Sequence, residues 1–191
     1  MRVSVYCASS SQISDSYKLQ AYELGKILSE EGVACNYGGG SVGLMGALAQ
    51  AMLDHGGSIV GIIPQFMVDQ GWDNPKVQME VVNSMHERKQ RMVKDVDAAI
   101  ALPGGIGTFE ELLEVITWRQ LGLFLKPVVI LNVNDYYAPL LAMLEKAVEE
   151  QFMRKEHLNL VTVVSSANEV LPAIRNSAVW TRGEALGKAA L

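Results

Sequence analysis

A single α/β domain, with a mostly parallel sheet held between helical layers, is the fold this sequence predicts. Three observations lead there. Short apolar runs recur at residues 2–7, 33–37, 58–63, 98–102 and 128–132, with helix-period segments between them. The run at 98–102 shows no polar alternation, as expected of a strand buried on both faces. Glycine-rich turns follow two of the runs, each where a strand gives way to a helix: Gly38-Gly39-Gly40-Ser41-Val42-Gly43 and Pro103-Gly104-Gly105-Ile106-Gly107. Together they describe a Rossmann-like three-layer sandwich with about six or seven strands.

Taken in order, residues 2–7 form the first strand and residues 8–14 its polar exit. Asp15 or Ser16 is placed to cap a helix over residues 15–31, with Leu19, Tyr22, Leu24, Ile27 and Leu28 on its apolar face. Gly32 ends that helix. Residues 33–37 are a second strand, and an Ala-rich helix after Gly43 runs to His55. Residues 58–63 are a third strand, closed by Pro64. The segment 64–76 reads as irregular, broken by Pro64, Gly71 and Asn74-Pro75. A strand at 77–82 leads into a helix at 84–94, and the central strand at 98–102 comes next. Lys126-Pro127 opens a strand at 128–132, and a helix follows at 137–150. A last strand at 161–164 and a short helix at 168–175 complete a domain spanning residues 1–175. Residues 176–191 are rich in Ala and Gly without a strong period, and fraying is expected there.

With 191 residues, 49% apolar and 19% charged, the chain suits one ordinary globular domain. A net charge of −5 argues against nucleic acid as the main partner, yet permits a small phosphorylated ligand held by local groups. No stretch approaches the roughly 20 apolar residues of a membrane helix, and no leader pattern opens the chain. Two cysteines, Cys7 and Cys35, lie in strand-like runs and read as free buried thiols. The expected setting is the cytoplasm.

The chemistry concentrates at residues 98–121. Pro103 stops the strand because it has no amide for the ladder. Gly104, Gly105 and Gly107 allow positive φ and close backbone approach. The helix beyond them presents free amides and the positive end of its dipole, so this junction reads as a phosphate seat. The turn at 38–43 fits G-x-G-x-x-G, but it follows the second strand and has no ribose-binding acid about 20 residues on, so an ordinary dinucleotide site is not expected. It reads instead as a second backbone wall for a mononucleotide.

Glu111 has two readings. Thr108-Phe109-Glu110-Glu111 matches a capping box, which needs no function; Glu111 also stands one helical turn past the phosphate seat, where a catalytic carboxylate would stand. Pattern alone leaves these even. Arg88, in Met85-His86-Glu87-Arg88-Lys89-Gln90-Arg91-Met92, falls on the face shared with Met92 and Met85. An inward arginine needs an anionic partner, either a carboxylate or a ligand phosphate. The three histidines, His55, His86 and His157, have no metal-ligand spacing, and no G-x-S-x-G elbow is present.

Two motifs together carry a family resemblance. Pro103-Gly104-Gly105-Ile106-Gly107-Thr108-Phe109-Glu110-Glu111 fits PGGxGTxxE, and Met85-His86-Glu87-Arg88-Lys89 stands upstream at the expected distance. With Tyr37-Gly38-Gly39-Gly40, Ile116-Thr117-Trp118 and Asp135-Tyr136-Tyr137, the chain over residues 1–165 resembles the Lonely Guy (LOG) family of cytokinin riboside 5′-monophosphate phosphoribohydrolases. The resemblance implies hydrolysis of the N-glycosidic bond of an adenosine 5′-monophosphate, plain or N6-modified, giving free base and ribose 5-phosphate. It implies Arg88 and Glu111 as the catalytic pair. Phosphate and substrate would be held by Gly104, Gly105, Gly107 and Thr108, with Gly39, Gly40, Met85, Lys89 and Thr117 as further pocket residues. No metal or redox cofactor is needed for that reaction, and a homodimer is implied. Phe109 replaces the family's frequent Leu, and the 66–76 loop does not align clearly. The alternatives are a mononucleotide carrier or sensor without hydrolysis, or a ribosyl-phosphate transferase.

Overall fold

A computed structural model describes residues 1–189 of the chain. Seven strands form one sheet: β1 (Arg2–Tyr6), β2 (Ala34–Tyr37), β3 (Ile59–Pro64), β4 (Gln78–Val82), β5 (Ala98–Ala101), β6 (Val128–Leu131) and β7 (Thr162–Val164). Their order is β4-β3-β2-β1-β5-β6-β7, and every neighbouring pair is parallel. β1 holds the middle place; β5, expected to be central, lies beside it and is buried along its whole length.

Among the described residues eight α-helices accompany these strands: α1 (Asp15–Glu30), α2 (Gly43–Asp54), α3 (Gln65–Asp69), α4 (Met85–Val93), α5 (Ile106–Gln120), α6 (Ala138–Glu149), α7 (Val170–Arg175) and α8 (Arg182–Ala189). Because successive side chains alternate across a strand, β1 and β5 feed two cores at once. Val3, Val5, Ala98 and Ile100 pack with Leu24 and Leu28 of α1 and Leu48 and Met52 of α2. Tyr6, Ala99 and Ala101 pack on the other face with Met92 of α4 and Leu112 and Val115 of α5. Each fully buried Leu or Ile of this kind contributes about 1.5–3 kcal/mol. This two-sided burial explains the unbroken apolar runs.

Several local details depart from the sequence reading. Ser14 caps α1, its side chain accepting from the Ser16 amide, in place of Asp15 or Ser16. The 64–76 segment contains the short helix α3. Beyond Asn176, residues expected to fray form α8, which opens on a reciprocal capping box. The Glu184 amide donates to Thr181 Oγ1 at 3.2 Å, and the Thr181 amide donates to a Glu184 carboxylate oxygen at 2.9 Å. Ala185 is fully buried, and Trp180 Nε1 donates to the Arg119 carbonyl at the end of α5. Ala190 and Leu191, the end of the 176–191 tail, lie outside the described residues. No helix among the described residues is long and apolar enough to cross a membrane.

The strand order matters most for function. From β1 the chain winds outward through β2, β3 and β4, then returns to the other side of β1 as β5. The β1/β5 boundary is therefore the topological switch point, where the loops beyond the carboxyl ends part and leave a crevice.

Candidate active site

A cavity of about 710 Å³ opens at that crevice. It is lined from four directions: Cys7 to Ser10 after β1, Gly38, Gly40 to Val42 and Met45 after β2, Ile63, Met67, Gly71 and Trp72 at and beyond the end of β3, and Gly105, Gly107 and Thr108 after β5. Met85 and Arg88 of α4 and Glu111 of α5 complete it. Arg88 and Glu111 are the only charged side chains in the lining among the described residues.

Arg88 is 7% exposed and fixed by backbone carbonyls. Its Nε donates to the Ile62 carbonyl at 3.0 Å, and Nη2 donates to the Gly38 carbonyl at 3.3 Å. Nη1 lies 3.3 Å from Glu111 Oε1 in a buried ion pair. The guanidinium fits because residue 38 has no side chain: a Cβ there would stand 2.5 Å from Nη2. Burial pushes the Glu111 carboxyl up to about 7, with Arg88 opposing the rise. Such a carboxylate is poised to change charge near neutrality, as catalytic acids and bases are.

The capping reading of Glu111 fails on helix phase. The N-cap of α5 is Gly105 and uses no side-chain hydrogen bond, so Thr108 lies inside the first turn and Glu111 in the second. Glu111 instead faces Arg88 and the cavity. The first amides of α5, at Ile106, Gly107 and Thr108, have no carbonyl four residues back within the helix, and Gly105, Gly107 and Thr108 line the cavity. Gly104, Gly105 and Gly107 do not use the positive φ that glycine allows. Tyr136 Oη donates to the Gly104 carbonyl at 2.6 Å and Tyr137 Oη to the Leu102 carbonyl at 2.7 Å, so the two tyrosines pin this turn from below.

The model of a family described as "Possible lysine decarboxylase" matches residues 45–174. The cytokinin riboside 5′-monophosphate phosphoribohydrolase LOG of Oryza sativa subsp. japonica is 44% identical over 89% of this chain and 71% of its own length. LOG1 of Arabidopsis thaliana, of the same description, is 44% identical over 92% of this chain and 83% of its own. The chain belongs to the LOG family. Among solved structures, the molybdenum cofactor binding protein of Rippkaea orientalis superposes with a TM-score of 0.69 at 24% identity, covering 91% of this chain and 94% of that one. That likeness shows the shared Rossmann-like architecture.

Within this LOG chain the structure gathers Arg88, Glu111, Met85, Gly40, Gly105, Gly107 and Thr108 around one cavity. Four other expected site residues stand outside the lining. Gly104 lies beneath the turn, where Thr108 fills the space a side chain would need. Gly39 takes φ of +84° and packs against Ile63 and Met79, with its carbonyl accepting from the Asn74 amide. Lys89 turns away to pair with Glu110 and Glu114. Thr117 is exposed, and its Oγ1 donates to the Leu113 carbonyl of its own helix at 2.8 Å. The sequence carries no signal for Met45, and for Met67 and Trp72 only the expectation that the 66–76 loop helps to shape the base pocket. The three polar residues Ser9, Ser10 and Ser41 were findable only through the switch-point rule.

Proposed function

We propose that this protein hydrolyses the N-glycosidic bond of adenosine 5′-monophosphates, plain or N6-modified, to free base and ribose 5-phosphate. The observation that carries this reading is the buried Arg88–Glu111 pair beside the open amino end of α5, in one cavity at the switch point. The names of the 44%-identical relatives support the same substrate class. The 5′-phosphate sits on the amides of Gly107 and Thr108, where a helix amino end favours an anion by typically 0.3–1 kcal/mol. The ribose then lies over Glu111. As the C1′–N bond breaks, positive charge grows on the ribose, and the ionised carboxylate stabilises it. Water forms the new bond to C1′, and its proton leaves to the departing base or to solvent. Arg88, clamped by two carbonyls, holds Glu111 in place and favours its ionised form. A lysine decarboxylase is poorly served by this cavity, whose lining contains no lysine among the described residues.

Release of free adenine from AMP, with adenosine nearly inert, is the expected result. Equal rates on AMP and adenosine would remove the phosphate seat from the mechanism. Saturable AMP binding without release would make the protein a carrier. Diversion of product by added competing bases would make it a transferase.

We infer also that the active form is a homodimer working in the cytoplasm. Along α5, Val115 is buried in the chain's own core, while Ile116 and Trp118 are half-buried against it. The support comes from neighbours left uncovered: Leu113, Leu121, Leu123 and Leu125 are all exposed around the end of α5. Light scattering at micromolar concentration is expected to give twice the chain mass, and a monomer would contradict this.

A further inference from the structure

The cavity is polarised, and its far end is built differently from the catalytic end. The phosphate seat follows β5, whereas Met67, Gly71 and Trp72 follow β3. Three strand spacings separate β5 from β3, which is about 14 Å at the usual interstrand distance. This is comparable to an extended nucleoside monophosphate. A nucleotide with its phosphate on α5 and its ribose at Glu111 therefore directs its base toward Met45, Met85 and Ile63, with the outer edge of the base reaching Trp72.

Trp72 is 57% exposed, unusual for the largest apolar side chain on an ordered rim. Its backbone is held on both sides. The Trp72 amide donates to the Met67 carbonyl at 3.1 Å, closing the turn after α3, and Gly71 supplies a φ of +69°. Beyond it, Asp73 bridges Gly40 and the Asn74 amide donates to the Gly39 carbonyl at 2.8 Å, with Asn74 buried. The indole is thus presented at the cavity mouth by a loop tied to the Gly-rich wall. Apart from Arg88 and Glu111, no charged side chain lines the cavity among the described residues. Methionines and a tryptophan make an apolar, adaptable surface.

We propose that Trp72 is a specificity-determining residue that reads the exocyclic edge of the base, favouring an apolar N6 substituent over the bare amino group. This rests on the nucleotide orientation proposed above.

The test compares AMP with N6-isopentenyl-AMP as ligands of the Glu111→Gln chain, so that neither is consumed, with binding followed calorimetrically. Trp72→Ala in that background is expected to weaken the alkylated ligand about tenfold or more while shifting AMP less than about threefold, the scale on which an apolar pocket reads a small apolar group. Trp72→Phe, which keeps an aromatic plate, is expected to retain most of the preference. Equal weakening of both ligands, or no change in the ratio for either variant, would overturn the assignment. Failure of the unaltered chain to release base from either nucleotide would sink the hydrolase reading, yet the binding ratio would still decide the role of Trp72.

Discussion

The turn after β2 and the turn after β5 both run from a buried strand through glycines into a helix, and both stand at the cavity. After β5 the amino end of α5 is open: its N-cap is Gly105, with no side chain bonded to the first amides. After β2 the amino end of α2 is closed, because the Leu44 and Met45 amides both donate to the Ala8 carbonyl, at 3.0 and 3.1 Å. The second turn offers carbonyls instead, with Gly38 accepting from Arg88 and Gly39 from Asn74. One turn leaves the first amides of its helix without a side-chain cap. The other is spent on holding the guanidinium and the Trp72 loop. Glycine spacing alone does not distinguish them, since it permits close approach without saying which backbone group points at the approaching atom.

The sharpest test of this contrast is Glu111→Gln, which keeps shape but removes the charge beside the open turn. Activity on AMP is expected to fall about 10²–10³-fold in kcat, the scale for one electrostatic group acting on a transition state. The folded protein should still bind AMP. Glu110→Gln should stay near the parent rate, because Glu110 pairs with Lys89 outside the cavity; the reverse pattern would mean that the wrong carboxylate has been assigned.

Next in size is a pair of glycine substitutions read by melting. Gly43 takes φ of +66°, and a Cβ there would lie 2.5 Å from the Ser10 carbonyl oxygen. Gly43→Ala is expected to lose about 1–3 kcal/mol of stability. Gly107 has open space on its side-chain position. Gly107→Ala should melt within about 0.5 kcal/mol of the parent and act instead by raising the KM for AMP. If both variants lost stability equally, the distinction between a structural and a binding turn would fail.

The smallest effect is in pH. With the Glu111 carboxyl pushed up to about 7 in the folded chain, kcat/KM should fall about tenfold for each unit below that value as the carboxylate is protonated. The sign for stability is the opposite. Protonated Glu111 is the better buried form, so Glu111 weakens the fold progressively as pH rises from the ordinary carboxylate range through 7. Glu111→Gln should therefore melt higher than the parent at pH 8, with the gap closing by pH 4. A parent rate independent of pH between 5 and 8 would remove Glu111 ionisation from the mechanism.

Much of this molecule was written locally. Apolar runs without alternation fixed the doubly buried strands, because a two-faced sheet needs no polar side. The position of Arg88 among Met85 and Met92 fixed its inward direction, because helix phase is set by a constant rotation per residue. Proline and glycine at 103–107 marked the strand exit whatever lay around it. Other features depended on groups far apart in sequence. Glu111 fitted a capping box until the helix began two residues before Thr108, and only its meeting with Arg88 from α4 gave it a partner. Lys89 and Thr117 carried family motifs, yet one is drawn off by Glu110 and Glu114 and the other bonds its own helix. Trp72 looked like part of an irregular loop, because its role depends on Gly39 and Gly40, more than 30 residues earlier, holding that loop at the cavity mouth. A sequence states what each short segment prefers; which surfaces those segments turn toward one another is decided by the strand order, and here that order made the site.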